Sequence, residues 1–223
     1  AALDRISMNA SQPRVISEIE RLSSHEDRGI RLKIVDVARD CNRYNSRYRS
    51  ILRSMTEDKD AEVTSMAAVE LARFGEKINS VVIERIKNYL LSAKGMSSQV
   101  TTILYAVSAM GADGIQVYKA LTEHGSSRMR TVAWQRFLSL SNGWNNPQDW
   151  TAALKDRDQG VRNAVVNTLR GRISPVNKKT MGSLVSSPYE DVRKFLAESM
   201  ARAESDAVEE YGFELLIDES LIG

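Results

Sequence analysis

The 223 residues are 42% hydrophobic and 27% charged, a composition typical of a folded, soluble chain rather than a disordered one. A net charge of +2 lacks the basic excess of a dedicated nucleic-acid-binding protein, and two histidines with one cysteine are too few for a Cys/His zinc site. No apolar run approaches the roughly 20 residues needed to span a bilayer.

The first residues, AALDRISMNASQPR, lack the apolar core of a signal peptide. Cys41 is the only cysteine, so no internal disulfide can form and a reducing compartment is favoured. We therefore expect a cytoplasmic protein. Because the sequence does not begin with Met, removal of a leader stays open as an alternative.

Six segments along the chain repeat one pattern: a polar turn, a capping residue, an aliphatic anchor often followed by Arg, and an apolar helical stripe. The anchors are Ile30, Val63, Val100, Met129, Val161 and Val192. They follow one another at intervals of 33, 37, 29, 32 and 31 residues. A period this regular predicts an array of similar structural units.

Each anchor is expected in the first turn of a helix. Three residues before the anchors stand Asp27, Asp60, Ser97, Ser126, Asp158 and Tyr189. The Asp and Ser side chains can accept hydrogen bonds from the free N–H groups of a first helical turn. Apolar residues recur three, four, five and eight positions after the anchor, which predicts a helix with a broad buried face.

An apolar helix also precedes each anchor, so every unit is a helix pair. The first helices are predicted over 13–23, 44–56, 77–92, 113–123, 147–155 and 177–186, and the second over 27–40, 60–74, 97–110, 126–140, 158–171 and 189–203. The repeats are then approximately 13–40, 44–74, 77–110, 113–140, 147–171 and 177–203. We expect one domain over 1–223, with 206–223 as a terminal capping segment.

The stretches DRDQGVRNAVVNTL and SSPYEDVRKFLAESM resemble the repeat of HEAT proteins, especially the short bacterial variety of phycobilisome-lyase-like repeats. In that repeat an Asp precedes a Val-Arg pair and small apolar residues follow. The resemblance covers roughly 13–203 and implies an all-α, right-handed α-solenoid of about six helix pairs. It departs at Thr64 and Thr101, where Arg stands in the other repeats.

The arginines after the anchors have two interpretations. The resemblance implies that Arg31, Arg130, Arg162 and Arg193 bind carboxylates and carbonyls of neighbouring turns. The functional alternative is a basic stripe for phosphates or an acidic partner. The second helices are expected to line the binding surface of the solenoid, with polar side chains two and six residues after the anchors. The candidate binding residues are Arg130, Trp134, Gln135, Trp150, Arg162, Asn163, Asn167, Arg193 and Lys194.

Two further features have both a structural and a functional interpretation. Trp134, Trp144 and Trp150 lie close together in the sequence. They are interpreted either as core residues or as a binding anchor. In residues 39–53, five arginines alternate with two tyrosines. This stretch is interpreted either as a solvated helix face or as a surface that binds phosphates and bases. Residues 28–53 carry a charge of +6 and residues 190–223 one of −7, which predicts charge-driven head-to-tail association of molecules.

No catalytic constellation is recognisable. His25 and His124 stand five residues before their anchors and are expected to be exposed turn residues, and His25–Glu26 is a single His-Glu pair where HEAT di-iron hydroxylases use several. No phosphate-binding glycine loop or nucleophile elbow is present, so we expect no metal, cofactor or catalytic residue.

The leading hypothesis is a non-catalytic protein-binding scaffold, or a HEAT segment of a larger assembly protein. The alternatives are a nucleic-acid-binding protein similar to HEAT alkylpurine DNA glycosylases and a lyase-like chaperone for a chromophore.

Overall fold

The computed structural model describes residues 9–43, 45–170, 181–199 and 208–212. All regular structure in these ranges is helical, which confirms the all-α prediction there. The helices are α1 (Pro13–Leu22), α2 (Arg28–Cys41), α3 (Arg47–Met55), α4 (Ala61–Arg73), α5 (Ser80–Ser92), α6 (Ser98–Ala106), α7 (Ala112–Leu121), α8 (Ser127–Leu140), α9 (Pro147–Ala153), α10 (Gln159–Leu169) and α11 (Glu190–Ser199). Among the described residues, no helix has the length and apolar content to cross a membrane.

These helices begin within three residues of the positions that the sequence predicts. The predicted helix over 177–186 and the predicted capping segment over 206–223 lie mostly outside the described residues. Within those two segments, residues 181–182 and 208–212 are helical.

Side-chain capping explains most of the starts of the second helices. The Asp27 and Asp60 carboxylates each accept two backbone N–H groups of the following turn, and Ser97 and Asp158 each accept one. Ser126 has the extended backbone of a cap, but its hydroxyl makes no capping hydrogen bond. The cap prediction is therefore confirmed at four Asp or Ser positions and wrong at Ser126.

The third repeat departs from its expected single helix over 97–110. The α-helix ends at Ala106 and continues as a 3₁₀ turn over Val107–Met110. Gly111 then takes φ +60°, a conformation that favours glycine. A Cβ on Gly114 would lie 2.2 Å from the Val107 carbonyl oxygen, so the tighter turn brings the start of α7 against the backbone. The tight turn therefore involves two glycines, Gly111 and Gly114, and the apolar periodicity of the sequence does not predict it.

The chain divides into two compact units, residues 1–117 and 118–223. In the first unit, helices adjacent in sequence pack together from α1 to α5. Alternate helices also touch: α1 contacts α3, α2 contacts α4, and α4 contacts α6. In the second unit, α10 packs against α8, α9 and α11. Helices of like position in successive pairs are thus neighbours within each unit.

Helix α4 is the centre of the first unit, because α2, α3, α5, α6 and the 3₁₀ turn all pack against it. Its residues from Glu62 to Ala72 are all buried. Two buried hydroxyls of this helix bond to nearby carbonyls: the Thr64 hydroxyl donates to the Asp58 carbonyl (3.0 Å) and the Ser65 hydroxyl to the Ala61 carbonyl (2.6 Å). Polar groups buried in this way keep their hydrogen bonds, which limits the cost of burying them.

The second unit has an aromatic core. Trp150 of α9 is 2% exposed and meets Phe195 of α11 edge to face, with 6.4 Å between ring centroids. A Cβ on Gly182 would lie 2.6 Å from the Tyr211 hydroxyl, so the helical residues 208–212 lie against the segment that precedes α11.

Candidate binding groove

Three arginines that follow the anchors form buried ion pairs with the next repeat. Arg31 holds Asp58 through Nε (2.7 Å) and Nη2 (3.1 Å), and Arg130 holds Asp156 in the same way at 2.7 and 2.9 Å. Arg162 binds both oxygens of Asp191, with its Nη2–Oδ1 distance at 2.9 Å. Such paired contacts are the strong form of a guanidinium–carboxylate interaction. The geometry agrees with the structural interpretation of these residues.

The third nitrogen of the same guanidinium groups binds the chain's own preceding turn. Nη1 donates to the carbonyl six residues earlier: His25 for Arg31, His124 for Arg130 and Asp156 for Arg162. Arg193 makes the corresponding bond to Ser187, at 2.7 Å. The guanidinium groups of the predicted binding residues Arg130 and Arg162 are therefore buried and occupied, whereas Arg193 is half-buried.

The second repeat makes the same connection with other residues. Thr64 stands where Arg stands elsewhere, and its hydroxyl binds the Asp58 carbonyl six residues earlier. Arg85 of α5 reaches the same carbonyl through Nη2 at 2.5 Å. The following turn has Gly95 at the position that Asp58 and Asp156 occupy in their repeats, so an arginine at position 64 would find no carboxylate there.

Residues five positions before the anchors close the turns. His25 Nδ1 accepts the Asp27 N–H and His124 Nδ1 accepts the Ser126 N–H, both at 3.0 Å. Asp58 and Asp156 do the same for the N–H two residues later. Both histidines lie in turns as predicted, but neither has the expected exposure: His25 is half-buried and His124 is buried, with its carbonyl accepting from Arg130.

Carboxylates of the same helix and of neighbouring elements pair with the arginines of the stretch 39–53. Arg39 pairs with Asp36 and Asp40, and Arg47 pairs with Glu20. Arg49 and Arg53 both face Glu76, at 3.6 and 2.7 Å. The Arg49 guanidinium also lies over the Phe74 ring, 5.5 Å from its centroid. These pairs favour the interpretation as a solvated structural face.

The structure brings three of the predicted binding residues together in a groove between α10 and α11. The groove has a volume of about 360 Å³ and is lined by Asn163, Val166, Asn167, Arg170, Asp191, Lys194, Phe195 and Glu198. This volume is at the lower end of the range for ligand pockets. Asn163 and Lys194 both stand two residues after an anchor, and Asn167 and Glu198 six residues after one. The repeat register therefore aligns these side chains across the two helices. We call it the α10–α11 groove.

The charges in this groove are mostly paired. Arg162 and Asp191 form the buried pair described above, and Arg170 Nη2 lies 3.0 Å from Glu198 Oε2 across the groove. Lys194 and the two asparagines are exposed. Among the described residues, no hydrogen bond or ion pair engages the Lys194 ammonium or the amides of Asn163 and Asn167. The groove thus offers two amides and one cation to a ligand.

The remaining predicted residues lie elsewhere. Gln135 and Trp134 are half-buried on α8, where Trp134 meets Phe137 at 6.0 Å between ring centroids. Trp150 lies in the core of its unit. Sequence reasoning missed Arg170, although it follows Asn163 by two helical turns and so shares its face. The side chain of Trp144 is outside the described part of the structure.

Within the described residues, no group of three or more His, Cys, Asp or Glu side chains is arranged to hold a metal ion. Cys41 is 1% exposed, so its thiol is shielded from substrates. Two carboxylate oxygens, Glu62 Oε1 and Glu70 Oε2, are buried without a hydrogen-bond partner, but their other oxygens face Arg28 and Arg73.

The chain matches no protein-family model and no curated protein.

Proposed function

We propose that this protein is a non-catalytic interaction scaffold, built as a right-handed α-solenoid of about six HEAT-like helix pairs, and that the α10–α11 groove binds a segment of a partner protein. The regular anchors, the capped second helices and the contacts between alternate helices in each unit support the repeat architecture. Repeats of this kind create extended binding surfaces on stacked helices.

The exposed polar side chains in the groove are the observation that carries the binding proposal. Among the described contacts, no hydrogen bond or ion pair within the protein uses the side chains of Asn163, Asn167 and Lys194. The buried arginines Arg130 and Arg162, by contrast, hold turns together. Amides and a single cation suit the mixed polar chemistry of a protein partner.

Nucleic-acid binding, for example by an enzyme similar to alkylpurine glycosylases, is the alternative proposal. Such binding needs several cations free to meet phosphates, and its affinity falls steeply with salt. The paired arginines of the 39–53 stretch give it less support. A duplex DNA titration at low and high salt tests it, and strong binding that weakens steeply with salt would favour this alternative.

Selection from a random peptide library tests the proposed function. The wild-type chain is compared with Asn167→Trp, which fills the groove, and with Asn88→Trp, a matched substitution at an exposed asparagine of α5. We expect peptides that bind the wild type and Asn88→Trp but not Asn167→Trp. Peptides that bind all three proteins equally, or no enrichment at all, would contradict the proposal.

A further inference from the structure

The two groove asparagines lie on one face of α10, four residues and therefore about 6 Å of helix rise apart. Each exposed amide has a donor and an acceptor that no described group of the protein uses. An amide of this kind can pair with the N–H and the C=O of one residue of a bound chain.

The spacing matches an extended peptide. Two residues of an extended chain advance about 6.6 Å, and residues two apart present their N–H and C=O groups to the same side. Asn163 and Asn167 can thus bind alternate residues of one strand that runs along α10. A helical ligand uses its backbone groups internally, so it would leave both amides without backbone partners.

The groove also has a charge preference. Arg162 and Arg170 are each paired with a carboxylate across the groove, whereas Lys194 has no anionic partner among the described residues. Lys194 faces the same groove from α11 as the asparagines do from α10. A carboxylate on the bound chain would therefore complete the site.

From these observations we infer that the α10–α11 groove recognises an extended peptide through its main chain, with Asn163 and Asn167 as the backbone-binding residues and Lys194 selecting an acidic side chain. This inference rests on the proposed function and specifies its ligand. It predicts broad tolerance for the other side chains of the peptide, because the asparagines bind backbone groups that all residues except proline share.

The test uses degenerate heptapeptide mixtures, acetylated and amidated, with a fixed central Glu or a fixed central Lys. A third mixture has the central Glu and N-methyl groups on the residues beside it. Binding is followed by NMR through the side-chain amide signals of the protein's asparagines. We expect the Glu mixture to shift the signals of Asn163 and Asn167 but not that of Asn88, and the Lys and N-methylated mixtures to bind more weakly.

Two variants separate the contributions. The double variant Asn163→Ala/Asn167→Ala should weaken the Glu mixture by about tenfold or more, given the usual strength of two hydrogen bonds. Lys194→Glu should reverse the preference, so that the Lys mixture binds better than the Glu mixture. Asn88→Ala is the control and should behave as the wild type.

Failure of the inference differs from failure of the proposed function. If Asn167→Trp abolishes peptide binding but the double alanine variant binds normally, the groove is a binding site and backbone recognition is wrong. Equal binding of the Glu and Lys mixtures overturns the acidic preference. A ligand that binds only as a helix, a preference for single-stranded oligonucleotide, or no shift of either asparagine signal overturns the inference as a whole.

Discussion

At the residue scale, buried Arg–Asp pairs between successive turns are the most specific interactions of the structure. Four residues after the cap position, an arginine bridges its own turn and the carboxylate of the next. The sequence shows the arginines at regular positions, but it does not show which carboxylates they bind. Arg130, for example, binds Asp156, which stands five residues before the next anchor. In the following repeat that position is Ser187, which has no carboxylate, and Arg162 binds Asp191 instead.

Replacement of Arg130 by Met should strongly destabilise the second unit. Asp156 would stay buried without its cation, and loss of one partner of a buried pair costs about 3 kcal/mol. The control is Arg128→Met, at an exposed position two residues before Arg130, and it should change the free energy of unfolding little. Urea unfolding measures both variants, and equal midpoints for the two would contradict the role of the pair.

The Arg130–Asp156 pair also predicts a pH dependence. Burial disfavours the charged form of Asp156, but hydrogen bonds from Arg130 and the Asp158 N–H, with the charges of Arg130 and Arg157, outweigh it and lower the pKa of Asp156. A lowered pKa contributes stability that is present above the unfolded value, about 3.9, and is lost as pH falls through the folded value.

We therefore expect wild type to be more stable than Asp156→Asn at neutral pH, with the difference shrinking as pH falls below about 4. The asparagine variant keeps an acceptor for the Asp158 N–H but loses the one for Arg130 Nε, so the comparison removes the charge together with that hydrogen bond. Thermal unfolding across an acid pH series gives the difference. A difference that stays constant through that range would contradict the account.

At the element scale, the second helices were predictable because their capping residues and apolar stripes both appear in the sequence. The cap at Asp158 and the absence of one at Ser126 offer a matched test. Asp158→Ala should lower the free energy of unfolding by about 1 kcal/mol, and Ser126→Ala should have a smaller effect. Chemical denaturation compares them, and a larger loss for Ser126→Ala would contradict the cap assignment.

The 3₁₀ turn over 107–110 does not follow from the apolar periodicity; it lies where Gly114 closely approaches the Val107 carbonyl. Gly114→Ala would put a Cβ 2.2 Å from the Val107 carbonyl oxygen, so α7 would have to move away and the first unit should lose stability. Gly95→Ala adds its Cβ in open space and should be neutral or slightly stabilising. Thermal melting of the two variants decides, and a tolerated Gly114→Ala would show that the approach is not tight.

At the scale of the whole molecule, the sequence predicts one repeat array, whereas the contacts divide the chain into two compact units. Similar packing of alternate helices occurs within each unit. A single solenoid and head-to-tail self-association both stay predictions. The basic segment 28–53, on which the association depends, is compensated by Glu20, Asp58 and Glu76. The net charge of a sequence segment does not include these carboxylates, because they lie outside the segment.

The candidate groove was predictable in part. The repeat register indicated Asn163, Asn167 and Lys194, which stand two or six residues after an anchor and are exposed, although Ser65 and Val69 at the same positions of α4 are buried. It could not distinguish them from Arg130 and Arg162, whose charges are buried against partners far apart in the sequence. Only the three-dimensional pairing separates charges that hold the fold from those that remain available to a ligand.

The most direct measurement of the central claim is calorimetric titration of a selected peptide into wild type, Asn167→Trp and Asn88→Trp. The account predicts binding to wild type and Asn88→Trp with equal affinity, and no measurable binding when Asn167→Trp fills the groove. Equal binding to all three proteins would contradict it, because the α10–α11 groove would then not be the site.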